Sequence, residues 1–117
     1  MKTILIVEDE EDLRLLLRLT LSAEPYTFLE AATGAEAAAL WSAADLILLD
    51  MRLPDVDGLD LLRRLGNTNG PVIALSAHSA NHRGADAIEA GCVAYLTKPF
   101  TAAQLLDAVR TFMPARS

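Results

Sequence analysis

Five times along the chain, a short run rich in β-branched and aliphatic residues gives way to a stretch with helical periodicity, and no low-complexity linker or internal repeat breaks the rhythm. Strands and helices that alternate in this way connect through right-handed crossovers, which makes the sheet parallel and puts helices on both of its faces. The expected fold is a three-layer, doubly wound α/β domain with a five-stranded parallel sheet. Thr3–Val7 reads as the first strand, followed by a helix over Glu11–Ala23 that stops ahead of Pro25, and Tyr26–Ala31 reads as the second strand. Thr33 and Glu36 have capping-box spacing at the start of an Ala-rich helix that ends near Ala43. Leu46–Leu49 is continuously apolar, as expected of a strand covered on both faces. Asp57-Gly58 opens a helix over Leu59–Leu65 that Gly66 closes. Val72–Leu75 precedes a poorer helix within Asn81–Ala90 that ends at Gly91. Ala94–Thr97 precedes a last helix after Thr101, where Thr101 and Gln104 form a second capping-box pair and Pro114 marks the end.

At 117 residues the chain has the size of one domain, and 52% hydrophobic residues supply a core for it. Sixteen acidic against 10 basic side chains leave a net charge of −6, which disfavours binding nucleic-acid phosphates and suits cations. No apolar run approaches the ~18 residues of a membrane span. The run Thr3–Val7 is too short for a signal-peptide core and meets Glu8, Asp9, Glu10, Glu11 and Asp12. Cys92 is the single cysteine and has no internal disulfide partner, so the cytoplasm is the expected compartment.

In open parallel sheets, sites form beyond the carboxyl ends of the strands. Glu8 and Asp9 follow strand one, Asp50 follows strand three, Ser76 strand four and Lys98 strand five. Three carboxylates gathered there repel one another, and a hard divalent cation such as Mg²⁺, which takes oxygen ligands, relieves that repulsion. Asp50, central among them, with a cation and Lys98 on either side and a hydroxyl nearby, has the setting of a nucleophile towards a phosphoryl group.

The runs Ile4-Leu5-Ile6-Val7-Glu8-Asp9, Leu46-Ile47-Leu48-Leu49-Asp50-Met51-Arg52-Leu53-Pro54-Asp55-Val56-Asp57-Gly58, Val72-Ile73-Ala74-Leu75-Ser76-Ala77 and Tyr95-Leu96-Thr97-Lys98-Pro99-Phe100 resemble the receiver domain of two-component response regulators, from Lys2 to about Met113. The resemblance implies a flavodoxin-like sheet in the order 2-1-3-4-5 and one receiver domain over residues 1–117 with no output domain. By the same resemblance Asp50 accepts phosphate from a histidine kinase or histidine phosphotransfer protein and signals to a downstream protein target. It also implies that Asp9, Asp50 and the Arg52 backbone carbonyl ligate Mg²⁺, with Glu8 acting mainly through water. Ser76 bonds a phosphoryl oxygen, Lys98 pairs with the phosphate, and Tyr95 is the aromatic that turns inward on activation. The resemblance further implies a phosphoacceptor with partial catalytic character, phosphorylating itself from a small donor and slowly dephosphorylating itself. A cis Lys98-Pro99 bond is also implied. Glu8 and Ser76 stand where the family more often has Asp and Thr, variants that keep the carboxylate and the hydroxyl, and the connections before strands three and four are short for the family.

Two rival chemistries fare worse. An aspartate-nucleophile phosphohydrolase wants a second catalytic Asp two residues after the nucleophile, where this chain has Arg52, and a flavin phosphate would be repelled by Glu8–Asp12. Trp41, at helical spacing from Ala37, is assigned to the core. His78 and His82 lack a third ligand for a metal, although the resemblance puts His78 beside the phosphoryl group, and Arg52 in the comparable place after Asp50. Cys92 is expected to be packed and inert. In the first helix, Leu13, Leu16, Leu17 and Leu21 are expected to face the sheet, leaving Leu15 and Leu19 either as tolerated surface leucines or as a docking patch for the phosphodonor. The fourth helix, with Gly84 costing ~1 kcal/mol in a helix interior, is expected to be the mobile element, anchored mainly by Ile88.

Overall fold

The computed structural model describes residues 1–66, 70–76 and 83–114. His78, His82 and the Asn81 start of the expected fourth helix lie outside the described residues. The elements run β1 (Thr3–Val7), α1 (Glu11–Leu21), β2 (Thr27–Ala31), α2 (Gly34–Leu40), a 3-10 turn (Trp41–Ala43), β3 (Leu46–Asp50), α3 (Gly58–Leu65), β4 (Val72–Ser76), α4 (Arg83–Ala90), β5 (Ala94–Thr97) and α5 (Ala102–Phe112). All strand pairs are parallel and the sheet order is β2-β1-β3-β4-β5, as the resemblance implied.

Every residue of β3 and β4 is buried, which is why those segments carry apolar side chains without alternation. Their side chains still alternate between two cores. Leu46 and Leu48 pack with Leu17, Leu21, Leu105 and Val109 beneath α1 and α5, while Ile47 and Leu49 pack with Trp41, Leu61, Leu62 and Ala87 beneath the other helices. Each such fully buried aliphatic side chain contributes about 1.5–3 kcal/mol. The edge strands β2 and β5 are partly exposed.

Helix ends follow local chemistry closely. Asp57 caps α3 by accepting the Leu59 N–H at 2.8 Å, and Thr101 and Gln104 form a complete capping box at 3.0 and 2.8 Å. At α2 the box is displaced: Thr33 accepts from the Glu36 N–H, but the Glu36 carboxylate reaches Ala32, one residue before the cap, at 2.7 Å. Gly66 and Gly91 close α3 and α4 with φ of 78° and 119°, a conformation that favours glycine.

Two packing expectations need correction. Leu16 is 58% exposed, because α1 is rolled so that Leu17 and Leu21 define its buried line. At ~100° per residue, Leu16 lies about 120° from that line. Ile88 does not anchor α4: it is 46% exposed, and among the described residues of that helix the fully buried one is Ala87. Trp41 is buried as expected and donates its indole N–H to the Gly66 carbonyl at 2.9 Å, joining the ends of α2 and α3. Cys92 is buried, and burial pushes its thiol up to about 12.

Candidate functional site

Parallel register brings the carboxyl ends level. Val7 pairs with Leu49, Asp50 with Leu75 and Ser76 with Thr97, so the residues that follow share one edge. Glu8 is held there by its N–H on the Ala31 carbonyl at 3.0 Å, and its side chain is fully buried. One carboxylate oxygen of Glu8 accepts the Glu10 N–H at 3.1 Å and the other accepts from Lys98 Nζ at 3.1 Å. Asp50, only 5% exposed, has Oδ1 3.5 Å from the same Nζ and 3.1 Å from the Arg52 N–H. A Cβ at Gly58 would fall 2.6 Å from the Asp50 carbonyl oxygen, so only glycine lets α3 begin this close to the strand end.

Carboxylate oxygens of Glu8, Asp9 and Asp50 all lie within 4.8 Å of one another. The electrostatics show the strain of that arrangement. Burial, then the Asp50 charge, raises Glu8 to about 7, against the pull of the Glu10 N–H and Lys98. Burial works to lower Lys98, but the Asp50 and Glu8 charges outweigh it and hold the ammonium above its ordinary value. Lys98 thus pairs with two of the three carboxylates, Glu8 and Asp50. The donor set is oxygen alone, which fits a hard divalent cation of the Mg²⁺ kind.

Of the expected site residues, Glu8, Asp9, Asp50 and Lys98 meet directly. Ser76 is buried at the end of β4, next to the residue that pairs with Asp50, and its carbonyl accepts the Lys98 N–H at 2.8 Å. Arg52 projects to solvent while its N–H bonds Asp50, and its backbone bridges Asp57. The Lys98-Pro99 bond is cis. Tyr95 stands apart on β5, 46% exposed.

Two supporting residues escaped the sequence reading. Arg14, one turn into α1, donates to the carbonyls of Glu8 and Asp9 at 2.8 and 3.4 Å and pairs with Glu30 on β2 at 3.2 Å. A basic residue two positions after a run of five acids is its only sequence signal. Asp55, in the segment after β3, bonds the first two amides of α2, and nothing local points to a partner 20 residues away.

A doubly wound parallel domain with an acid cluster and a buried-stem lysine at its carboxyl edge belongs to the class of phosphoryl-handling α/β proteins. Within that class the chain belongs to the response regulator receiver domain family, whose model matches residues 4–110, and it is a receiver domain of two-component response regulators. It is 33% identical to sporulation initiation phosphotransferase F of Bacillus subtilis over 97% of this chain and 95% of the relative. It is 38% identical to the KDP operon transcriptional regulatory protein KdpE of Escherichia coli over 100% of this chain but 53% of the relative, so the chain spans about half the length of that regulator. Among solved structures, the receiver domain of NtrX from Brucella abortus superposes with a TM-score of 0.87 at 31% identity, covering 97% of this chain and 99% of that one. A CheY-like receiver domain protein from Methanospirillum hungatei gives a TM-score of 0.86 at 28% identity, covering 95% and 92%. Response regulators receive phosphate from histidine kinases or phosphotransfer proteins, and receiver domains generally use Mg²⁺. No helix among the described residues is long and apolar enough to cross a membrane.

Proposed function

We propose that Asp50 is the phosphoacceptor of a signalling switch, taking its phosphoryl group from a histidine kinase or a histidine phosphotransfer protein in the cytoplasm. The observation that carries this reading is the placement of Asp50: nearly buried, at the end of the central strand, inside the acid cluster and 3.5 Å from Lys98 Nζ. A carboxylate oxygen of Asp50 bonds the donor's phosphorus as the phosphorus–nitrogen bond breaks. The leaving imidazole keeps that electron pair, and the product is an acyl phosphate. Asp9, Asp50 and the Arg52 carbonyl would hold Mg²⁺, with Glu8 reaching it through water. Bound there, the ion supplies neutralisation of charge on the transferring oxygens. Lys98 moves its contact from Glu8 and Asp50 to the phosphoryl oxygens, and the Ser76 hydroxyl donates to one of them. Attack of water on phosphorus returns Asp50 to its carboxylate and releases inorganic phosphate, which gives the domain slow self-dephosphorylation. Small donors such as acetyl phosphate serve by the corresponding displacement, in which a phosphorus–oxygen bond breaks and acetate leaves with its electron pair.

The output is a changed surface presented to a downstream protein target, with Ser76 and Tyr95 coupling the phosphate to β5. A net charge of −6 favours a protein target over direct contact with nucleic acid. Leu15, Leu16 and Leu19, exposed side by side on α1, form an apolar patch near the acid edge suited to docking the phosphodonor protein. Intact mass after acetyl phosphate and Mg²⁺ should rise by one phosphoryl group in the parent and stay unchanged in Asp50→Asn. An adduct that persists in Asp50→Asn would sink the assignment.

A further inference from the structure

As a cation ligand the Arg52 carbonyl would have no rotamer to adjust: its position depends wholly on the backbone path between β3 and α3. That path is held at both ends near the site, by the Met51 N–H on Leu75 at 3.1 Å and by the Gly58 N–H on Met51 at 2.8 Å. Between these ends, Asp55 reaches across to α2. Its two carboxylate oxygens accept the Gly34 and Ala35 N–H groups at 2.8 and 3.1 Å. Thr33 takes the next amide, that of Glu36, at 3.1 Å, so the first three donors of α2 are all satisfied, two of them by acceptors from a segment remote in sequence. The approach is close: a Cβ on Gly34 would overlap the Val56 side chain. The Gly34 N–H, foremost, holds the Asp55 carboxyl below its ordinary value even though the group is exposed.

We infer that Asp55 is a positioning residue, clamping the β3–α3 segment to the start of α2 so that the Arg52 carbonyl is presented to the cation site. The inference rests on the phosphoacceptor reading above and adds a role for a residue that does not touch the acid cluster. Gly34 is the other half of the device, since a Cβ there would meet the Val56 side chain and crowd the Asp55 carboxylate.

Calorimetric titration with Mg²⁺ tests it on the whole chain, beside thermal unfolding of each variant. Asp55→Ala should weaken Mg²⁺ binding by about tenfold, the scale of losing a group that orients a metal ligand. Asp55→Asn removes the same charge but keeps a carbonyl acceptor, and should recover most of the affinity. Gly34→Ala leaves the charge untouched and should weaken Mg²⁺ binding as Asp55→Ala does. Parental affinity in Asp55→Ala would overturn the inference. So would equal weakening in Asp55→Ala and Asp55→Asn with parental affinity in Gly34→Ala, which would show that only charge matters. The two readings fail separately: a parent that takes no phosphoryl group on Asp50 at saturating Mg²⁺ refutes the acceptor assignment. A phosphorylated parent whose Mg²⁺ midpoint is unmoved by Asp55→Ala refutes only the clamp.

Discussion

Helices α1 and α4 flank the same sheet but are held very differently. Helix α1 buries Leu17 and Leu21 in the core shared with α5, and its Arg14 ties the Glu8–Asp9 backbone to β2. Helix α4, among its described residues, sinks an alanine, Ala87, to full burial and leaves Ile88 about half exposed. The difference separates two jobs within one domain. The element beside the acid cluster must keep like charges in a repulsive arrangement, and it is fastened by both packing and hydrogen bonds. The element that follows β4 has fewer large buried side chains among its described residues, and it is therefore expected to open more readily than α1.

The largest expected effect contrasts the two anchors. Leu17→Ala should cost about 2–5 kcal/mol, as truncation of a fully buried leucine does, whereas Ile88→Ala should stay within ~1 kcal/mol; denaturant unfolding measures both. Equal losses would erase the distinction. Hydrogen exchange sharpens it next: α4 amides should exchange at least ~10-fold faster than those of α1, a gap of about 1.4 kcal/mol in opening free energy. Cys92 gives an independent view, because its N–H bonds the Ala87 carbonyl at 2.9 Å and its thiol is pushed up to about 12. At pH 8 it is a neutral, buried thiol, so a thiol reagent should label it only through opening of this region, at the rate the α4 amides report. Immediate labelling of the native protein would contradict that packing. The smallest effect on stability is expected on the outer face of α1. Replacing Leu15 and Leu19 together with serine should change unfolding free energy by about 0.5–1 kcal/mol at most. The same pair should slow phosphotransfer from a protein donor while leaving acetyl phosphate labelling of Asp50 intact; equal slowing by both routes would remove the docking role.

Much of this molecule can be read from its residues. Continuous apolar runs at Leu46–Leu49 and Val72–Leu75 identify the buried strands to within one residue, because a strand covered on both faces has no polar positions. Thr101, Asp57, Gly66 and Gly91 mark helix ends, because caps and positive-φ positions are local requirements. Even the gathering of Glu8, Asp9, Asp50 and Lys98 follows, since parallel strands necessarily bring their carboxyl ends to one edge. The errors fell where a helix meets its neighbours. Leu16 and Ile88 have the right residue type and spacing for burial, but the roll of a helix about its axis depends on what packs beneath it.

The order of elements, the buried strands, the caps and the shared edge of the acids were thus determined by the sequence by itself, through period, propensity and the handedness of crossovers. Only the tertiary structure decided the rest: the exposure of Leu16, the Arg14 tie to Glu8 and Asp9, the Lys98 contact shared by Glu8 and Asp50, and the clamp of Asp55 on Gly34 and Ala35. The Lys98 and Asp55 contacts join segments distant in the chain, and the geometry of all of them is set by how whole elements dock, which no local pattern encodes.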